Sequence, residues 1–310
     1  MKDIVAFERF GDEGVRTLGG KGYNLCKMAI AGFPVPGGFI ITADVFRQFL
    51  KENEIGGQVL DSLKESRGCD LAALGEISKE ITNLISKGTF PVNVGKHVRE
   101  SFRRLGCKYA AVRSSAVAED SKKESWAGEL ESYLYITEKN LIPSVKKCYA
   151  SLFSERALVY RLGKRVKDQG VAVVVQKMID SEVSGVAFSI DPVTKDKDMI
   201  VIEAAYGLGE AVVSGLVNPD RYEFDKKRMD IRKHAINKQE FLLKNTGKTL
   251  SRVDLDSEAG ALRKLDDQSI RKVAYLCQRL ESCFQAPQDV EWAYEGGRLY
   301  VLQSRPVVLR

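Results

Sequence analysis

Three observations predict a two-lobed chain that mixes helices with strands. Its 310 residues exceed what one small core needs and fit two lobes. The pattern is helical throughout from about 58 to 105. Short apolar strands follow at 171–178, 184–190 and 199–204, and the chain closes on a hairpin, DVEWAYEGGRLYVLQSRPV, that begins at Asp289. The expected lobes are 1–170, with 58–105 as a helical subdomain, and 171–310, which carries the hairpin at 289–307.

A short strand at 4–7 leads through a polar turn into LGGKGYNLCKMAIAGFPVPGGF. Leu25, Met28 and Ala29 recur at helical spacing, which predicts a helix over 22–31 with Gly19, Gly20 and Lys21 at its N-terminus. Glycines there let backbone N–H groups approach an anion, the helix dipole favours the same charge, and Lys21 adds a point charge. A plain Gly-Gly turn before a helix has the same look, and the Walker A spacing is absent. Pro34 and Pro36 break the chain before a strand at 39–41, and Thr42 reads as the N-cap of a helix to about 54. Helices at 59–63, 71–85 and 94–105 build the subdomain, with His97 on the surface of the last. A strand at 108–112 delivers Arg113, Ser114 and Ser115 to a loop. Arg113 suits a bidentate phosphate contact, or an ion pair with Glu119 or Asp120. The small, polar loop has the composition of a mobile ligand-covering segment, in which Ala127 and Gly128 let backbone reach a phosphate and Trp126 anchors. A strand at 132–136 and helices at 142–153 and 155–165 complete the lobe.

The strand at 171–178, GVAVVVQKM with its leading glycine, places Gln176 and Met178 to contact an adenine at a hinge. The same residues also suit a buried strand end and core filling. Beyond the strand at 199–204, Gly207, Gly209 and Gly215 demand special backbone geometry, with Glu203 and Glu210 close by. DKKRMDIRKHAINKQ reads as a charged, hairpin-like surface segment, and its interspersed acids favour a solvated face over nucleic acid. His234 sits within it. Ile270, Val273, Ala274, Cys277 and Leu280 define an amphipathic helix over 267–284.

In the closing hairpin, alternate residues share a face, so Asp289 and Glu291 point opposite to Val290, Trp292 and Tyr294. On the return strand Gln303 and Arg305 share one face, with Tyr300, Leu302 and Ser304 on the other. An odd loop such as 296–298 puts both polar pairs on one surface, whereas a two-residue turn puts them on opposite surfaces. On one surface, the carboxylates suit Mg²⁺ and the Arg suits the phosphate that Mg²⁺ carries. A solvated face with a Glu–Arg cross-strand pair is the simpler alternative.

Composition excludes more than it identifies. A hydrophobic share of 44% and a charged share of 29% are those of an ordinary soluble protein, and a net charge of +6 is a mild excess. Six cysteines without a Cys-x-x-Cys, beside two histidines, argue against a zinc cluster and for free thiols in a reducing compartment. No signal-peptide core or membrane-length apolar run is present. The expectation is a cytoplasmic protein with no membrane or nucleic-acid partner.

Five blocks occur in the order and spacing of one family: LGGKGYNL, AVRSSAVAEDS…SWAGELESYL, VVVQKMIDSEVSGVAFSIDPVT, IEAAYGLGEAVVSGLVNPDRY and DVEWAYEGGRLYVLQSRPV. The chain resembles, over nearly its whole length, the N-terminal ATP-binding domain shared by phosphoenolpyruvate synthase, pyruvate phosphate dikinase and rifampicin phosphotransferase. The resemblance implies an α+β ATP-grasp fold, two lobes clamping ATP. It implies that Lys21 and Arg113 bind phosphate, that Gly128 lies in the phosphate-covering loop, and that Ser132 stands where Thr is usual. It also implies that Gln176 contacts the nucleotide, that Glu291 and Gln303 hold Mg²⁺-nucleotide with Asp289 as a further ligand, and that Arg305 contacts phosphate. Trp126, Glu129, Leu130, Glu131 and Ser132 depart from the usual SFAGQQDTYL.

The family's swivelling domain, with its phosphorylatable histidine, has no counterpart here, and neither His97 nor His234 has the Ser/Thr-His setting. The resemblance therefore implies a domain or subunit that passes phosphate from Mg²⁺-ATP to a histidine on a separate domain or polypeptide. ATP ends as AMP, and phenylphosphate synthase is the precedent for separate polypeptides. Lys21, Arg113 and Arg305 are then the catalytic charge stabilisers. A self-contained ATP-grasp kinase or ligase, or a nucleotide-sensing module that transfers nothing, are the alternatives.

Overall fold

The computed structural model describes residues 2–66, 68–117, 131–164, 170–247 and 250–308. They form two compact units, one of Met1–Ile30 with Gly37–Met178, the other of Ala31–Pro36 with Ile179–Arg310.

In the first unit, chain order runs β1 (Ile4–Ala6), α1 (Val15–Ile30), β2 (Gly38–Ile41), α2 (Ala43–Glu52), α3 (Gly56–Glu65), α4 (Leu71–Lys87) and α5 (Val92–Arg104). It continues with β3 (Ala110–Ala116), β4 (Ser132–Ile136), α6 (Glu138–Ser151), α7 (Glu155–Lys164) and β5 (Val171–Lys177). The strands pair antiparallel in the order β1-β2-β5-β3-β4. Phe39, Ile41, Val112, Val173 and Val175 pack with Phe46, Phe49, Phe90 and Tyr149 in one core on one face of the sheet. The alternate residues turn to the face on which α1 lies, where a Cβ on Gly22 would come within 2.9 Å of Ile40. The helical subdomain appears as α3, α4 and α5, and Asp70 caps α4 by accepting from the Ala73 N–H.

β5 corrects the expected boundary after residue 170. It is hydrogen-bonded on both sides, to β2 and β3, and is the middle strand of the first sheet. Five consecutive buried residues from Val171 to Val175 suit a strand covered on both faces, so the chain changes unit after Met178.

The second unit contains β6 (Val183–Phe188), β7 (Met199–Tyr206), α8 (Glu210–Val213), β8 (Asp220–Asp225), β9 (Asp230–Ala235), β10 (Phe241–Asn245) and β11 (Leu250–Asp254). After these come α9 (Ser257–Ala261), α10 (Asp267–Phe284), β12 (Gln288–Glu295) and β13 (Arg298–Pro306). Six strands form an antiparallel sheet in the order β13-β12-β6-β7-β8-β9, while β10 and β11 pair separately. One sheet face is covered by α10, which is capped by Asp266 and brings Cys277 Sγ to 3.9 Å from the Ala187 carbonyl. The segment Ala31–Pro36 belongs here because the Val301 N–H donates to the Pro34 carbonyl at 3.0 Å and the Arg279 guanidinium lies 4.7 Å from the Phe33 ring centre. The 225–239 region is the predicted surface hairpin in part, as the turn and second strand of β8–β9. The hairpin β10–β11 and the short helices α8 and α9 escaped sequence reading, since elements of four or five residues carry little periodicity.

Candidate functional site

In the first unit the site is assembled on the sheet face that α1 covers. α1 is broken at Gly19, whose φ of 68° and ψ of 171° are outside the helical region. A Cβ there would meet the Ser115 carbonyl oxygen at 2.1 Å, so glycine is required by both space and conformation. Ser115 spans the break: its hydroxyl donates to the Leu18 carbonyl and accepts from the Gly22 N–H, each at 3.0 Å. Lys21 therefore sits one residue into a newly started helix, as the Gly-Gly-Lys reading expected, with only 9% of its surface exposed.

Arg113 is not at a strand end but in the middle of β3, which continues to Ala116. It is directly opposite Ser132 of β4, whose hydroxyl accepts from Arg113 Nε at 3.4 Å. Ala111, Arg113 and Ser115 share a face, and Ala111 is registered against Gln176 of β5, which in turn faces Gly38 of β2. Gln176 is 2% exposed and its Nε2 donates to nothing among the described residues. Met178 is half-buried beyond the strand end, where its N–H donates to the Tyr109 carbonyl at 3.1 Å. Gly128, Trp126 and the rest of 118–130 lie outside the described residues.

In the second unit the closing hairpin carries the site, by a different route from the one expected. The turn has two residues, Gly296 and Gly297, at φ 57° and 72°, and it joins Glu295 directly opposite Arg298. Such a turn alone would separate the polar pairs. A β-bulge restores them: Glu291 faces Gln303, but the next pair is Trp292 with Val301, so Leu302 is extra. Asp289 then faces Arg305, and all four side chains share one surface. The bulge also moves Tyr300 off the expected face, to a position opposite Ala293.

Arg305 donates from Nε and Nη2 to the same oxygen of Asp289, at 2.8 and 2.7 Å. Burial pushes the Asp289 carboxyl above its usual pKa, Arg305 pulls it back, and Glu291 adds repulsion. Gln303 is 4% exposed, and its Oε1 accepts no hydrogen bond among the described residues. No three His, Cys, Asp or Glu side chains among those residues are close enough to hold a metal. Two carboxylates with an orphaned amide oxygen still fit Mg²⁺, which takes one or two carboxylates and fills its sphere with water and substrate phosphate.

Sequence reading passed over the row of residues that continues from this hairpin across the sheet. Gln303, Glu291, Val186, Glu203 and Arg221 are successive cross-strand neighbours on β13, β12, β6, β7 and β8. Arg221 reaches Asp191 at 3.5 Å and Glu223 at 3.6 Å. Burial raises the Glu203 pKa, Arg221 lowers it and Asp289 raises it again. The alternation of β7 was the available signal: Glu203 interrupts an otherwise apolar run. His97 and His234 are both exposed, on α5 and β9.

A cation at a helix start and a guanidinium in one unit, and a guanidinium fork with a carboxylate–amide pair in the other, are carried on the antiparallel sheets of an α+β protein, and groups of this chemistry suit phosphate. Residues 15–309 match the family described as pyruvate phosphate dikinase, AMP/ATP-binding domain, and the chain belongs to that family. Its fold is α+β, with an antiparallel sheet and packed helices in each unit. A probable phosphoenolpyruvate synthase of Archaeoglobus fulgidus is 43% identical over 303 residues, covering 94% of this chain and 40% of the relative. A rifampicin phosphotransferase of Bacillus cereus is 34% identical, covering 98% of this chain and 36% of the relative. The chain thus spans less than half the length of these curated relatives. A solved D-alanine–D-alanine ligase of Helicobacter pylori overlaps 64% of this chain and 42% of its own at 12% identity and a TM-score of 0.29. Among the described residues no helix is long and apolar enough to cross a membrane.

Proposed function

We propose that this chain is the ATP-binding part of a dikinase-type phosphotransferase, which presents the terminal phosphates of Mg²⁺-ATP to a histidine on another domain or polypeptide and leaves AMP. The observation that carries the reading is the hairpin surface, where the Gln303 amide oxygen lacks a partner among the described residues, opposite Glu291 and next to an Arg305 fork aligned by Asp289. Glu291 and Gln303 would hold the metal, with Asp289 as a further ligand and as the anchor of Arg305. When bound, the metal neutralises phosphate charge. In the first unit Lys21 and Arg113 would bind phosphate, with Ser132 orienting Arg113 and with Gly128 in the phosphate-covering loop. Gln176 and Met178 would contact the base.

The chemistry asked of these residues is positioning and charge stabilisation by Lys21, Arg113 and Arg305, and no side chain here need act as nucleophile. Relatives named for different reactions, phosphoenolpyruvate synthase and rifampicin phosphotransferase, match over nearly all of this chain. The choice of acceptor is accordingly assigned to parts outside it. A reducing, cytoplasmic setting suits the six free cysteines.

The test is incubation with ATP labelled at the β phosphate, following nucleotide and protein. The chain alone should bind Mg²⁺-ATP, form little AMP and remain unlabelled. The histidine-bearing polypeptide should restore AMP formation and take up the label. Rapid AMP formation by the chain alone, or label on His97 or His234, would overturn the need for a partner. Absence of Mg²⁺-dependent ATP binding would overturn the reading as a whole.

A further inference from the structure

Glu203 is a half-buried carboxylate to which the described residues give no hydrogen bond and no ion pair within 4 Å. Its cross-strand neighbour is Arg221, the cation expected to neutralise it. The ion pairs of Arg221 go instead to Asp191 and Glu223, at 3.5 and 3.6 Å. On its other side Glu203 is separated from Glu291 by Val186 alone, and all three are on one sheet face. Adjacent strands lie about 4.8 Å apart, so Glu203 and Glu291 are rooted roughly 10 Å apart, a span that two Glu side chains can nearly close over a valine. The Asp289 charge contributes to the raised Glu203 pKa, behind burial and Arg221. The same row ends in Gln303, more than nine-tenths buried with its Oε1 unpartnered among the described residues, so an electropositive ligand suits that point independently of the acids.

We propose that Glu203 is a positioning residue for the metal of the nucleotide site, accepting hydrogen bonds from its coordinated water across Val186. This rests on the reading of Glu291 and Gln303 given above. Glu203 is assigned to the water shell rather than to the ion itself, since the register leaves a valine between it and Glu291 and no three acidic, Cys or His groups among the described residues are close enough to share an ion. Mg²⁺ keeps several of its waters, and an acceptor fixed on a neighbouring strand orients them. Arg221, held by Asp191 and Glu223, favours the charged form of Glu203 against burial without occupying it.

The experiment is ATP-dependent Mn²⁺ binding by the whole chain, read from the electron paramagnetic resonance of free and bound ion and checked by Mg²⁺ competition. Glu203→Gln should weaken Mn²⁺ affinity in the presence of ATP by about tenfold or more and leave metal-free ATP binding unchanged. Glu203→Asp, which keeps the charge on a shorter arm, should fall between the two, and it reads the same quantity if the Gln variant does not fold. Arg221→Ala separates the roles. If Glu203 served only as its cross-strand partner, both substitutions would lower the melting temperature and neither would move metal affinity, which would overturn the proposal. Wild-type protein that binds no Mn²⁺ with ATP would overturn the nucleotide–metal reading beneath it. Wild-type binding that survives Glu203→Gln or Glu203→Asp unchanged would overturn this inference alone.

Discussion

Among the described residues two buried amides are left incomplete, and both are residues that sequence reasoning assigned to the nucleotide: Gln176 by its Nε2 and Gln303 by its Oε1. Leaving such an atom unpaired costs about 1–3 kcal/mol, a cost that a ligand would remove. Gln303→Met should therefore stabilise the ligand-free protein by about 1 kcal/mol and weaken Mg²⁺-ATP binding. Denaturant unfolding and calorimetry decide it together, and a loss of stability would show that the amide is paired. Tyr149 is the contrast. Its hydroxyl is equally orphaned, but in the core among Phe46, Phe49 and Phe90, so Tyr149→Phe should gain stability without touching nucleotide affinity. Glu203 adds a pH signature. Burial raises its pKa above the ordinary 4.5, so the stability it contributes is complete below that value and is lost as pH rises through the raised one. Measured by urea unfolding without ligand, wild type should lose ground to Glu203→Gln as pH climbs through that window. A difference between the two that is flat with pH would remove the burial argument.

The decisive element is the hairpin of β12 and β13, where one extra residue sets the chemistry. A two-residue Gly296–Gly297 turn with perfect pairing would send Gln303 and Arg305 to the face that carries Trp292, against α10. Leu302 prevents this. Deleting Leu302 would remove the bulge yet keep Glu291 opposite Gln303 and Asp289 opposite Arg305 in regular pairing, so Mg²⁺-ATP binding should persist. Loss of that affinity in a folded variant, measured by calorimetry, would show that the bulge does more than set which face these residues share. α1 has a comparable device at Gly19. Gly19→Ala would place a Cβ against the Ser115 carbonyl and force a left-handed φ on alanine, which costs about 1–3 kcal/mol in backbone strain before the clash is counted. Melting temperature and ATP affinity should fall together, since the helix start that presents Lys21 moves.

At the scale of the molecule, the two units are interleaved in sequence. The second takes Ala31–Pro36 out of the first, and β5 closes the middle of the first sheet only after α7. A fragment ending at 170, the boundary that composition suggests, lacks the strand that joins β2 to β3. It should fail to give a dispersed amide NMR spectrum, whereas one ending at 178 should give it. Equal behaviour of the two fragments would mean that β5 is dispensable to the unit. The chain spans less than half of the relatives it matches, so the partner test belongs to this scale as well.

Much of this protein was legible before any coordinates. The run VAVVVQK, the i, i+3, i+4 stripe of α10 and the strand–turn–strand of the hairpin are local patterns that few other conformations satisfy. The family blocks named Lys21, Arg113, Gln176, Glu291, Gln303 and Arg305; the structure places Arg113 and Gln176 on one sheet face, covered by the helix that carries Lys21, and the other three on one face of the second sheet. What the tertiary structure alone decided was pairing. It chose which sheet would receive β5, whether the hairpin would carry a bulge, that residues 31–36 would cross to the second unit, and that Arg221 would turn to Asp191 and Glu223 and leave Glu203 alone. Periodicity is written along the chain because each residue's face follows from its neighbours. A partner strand, a bulge or an ion pair is the outcome of competition among segments far apart in sequence, and hydrogen-bond geometry settles it only once they meet.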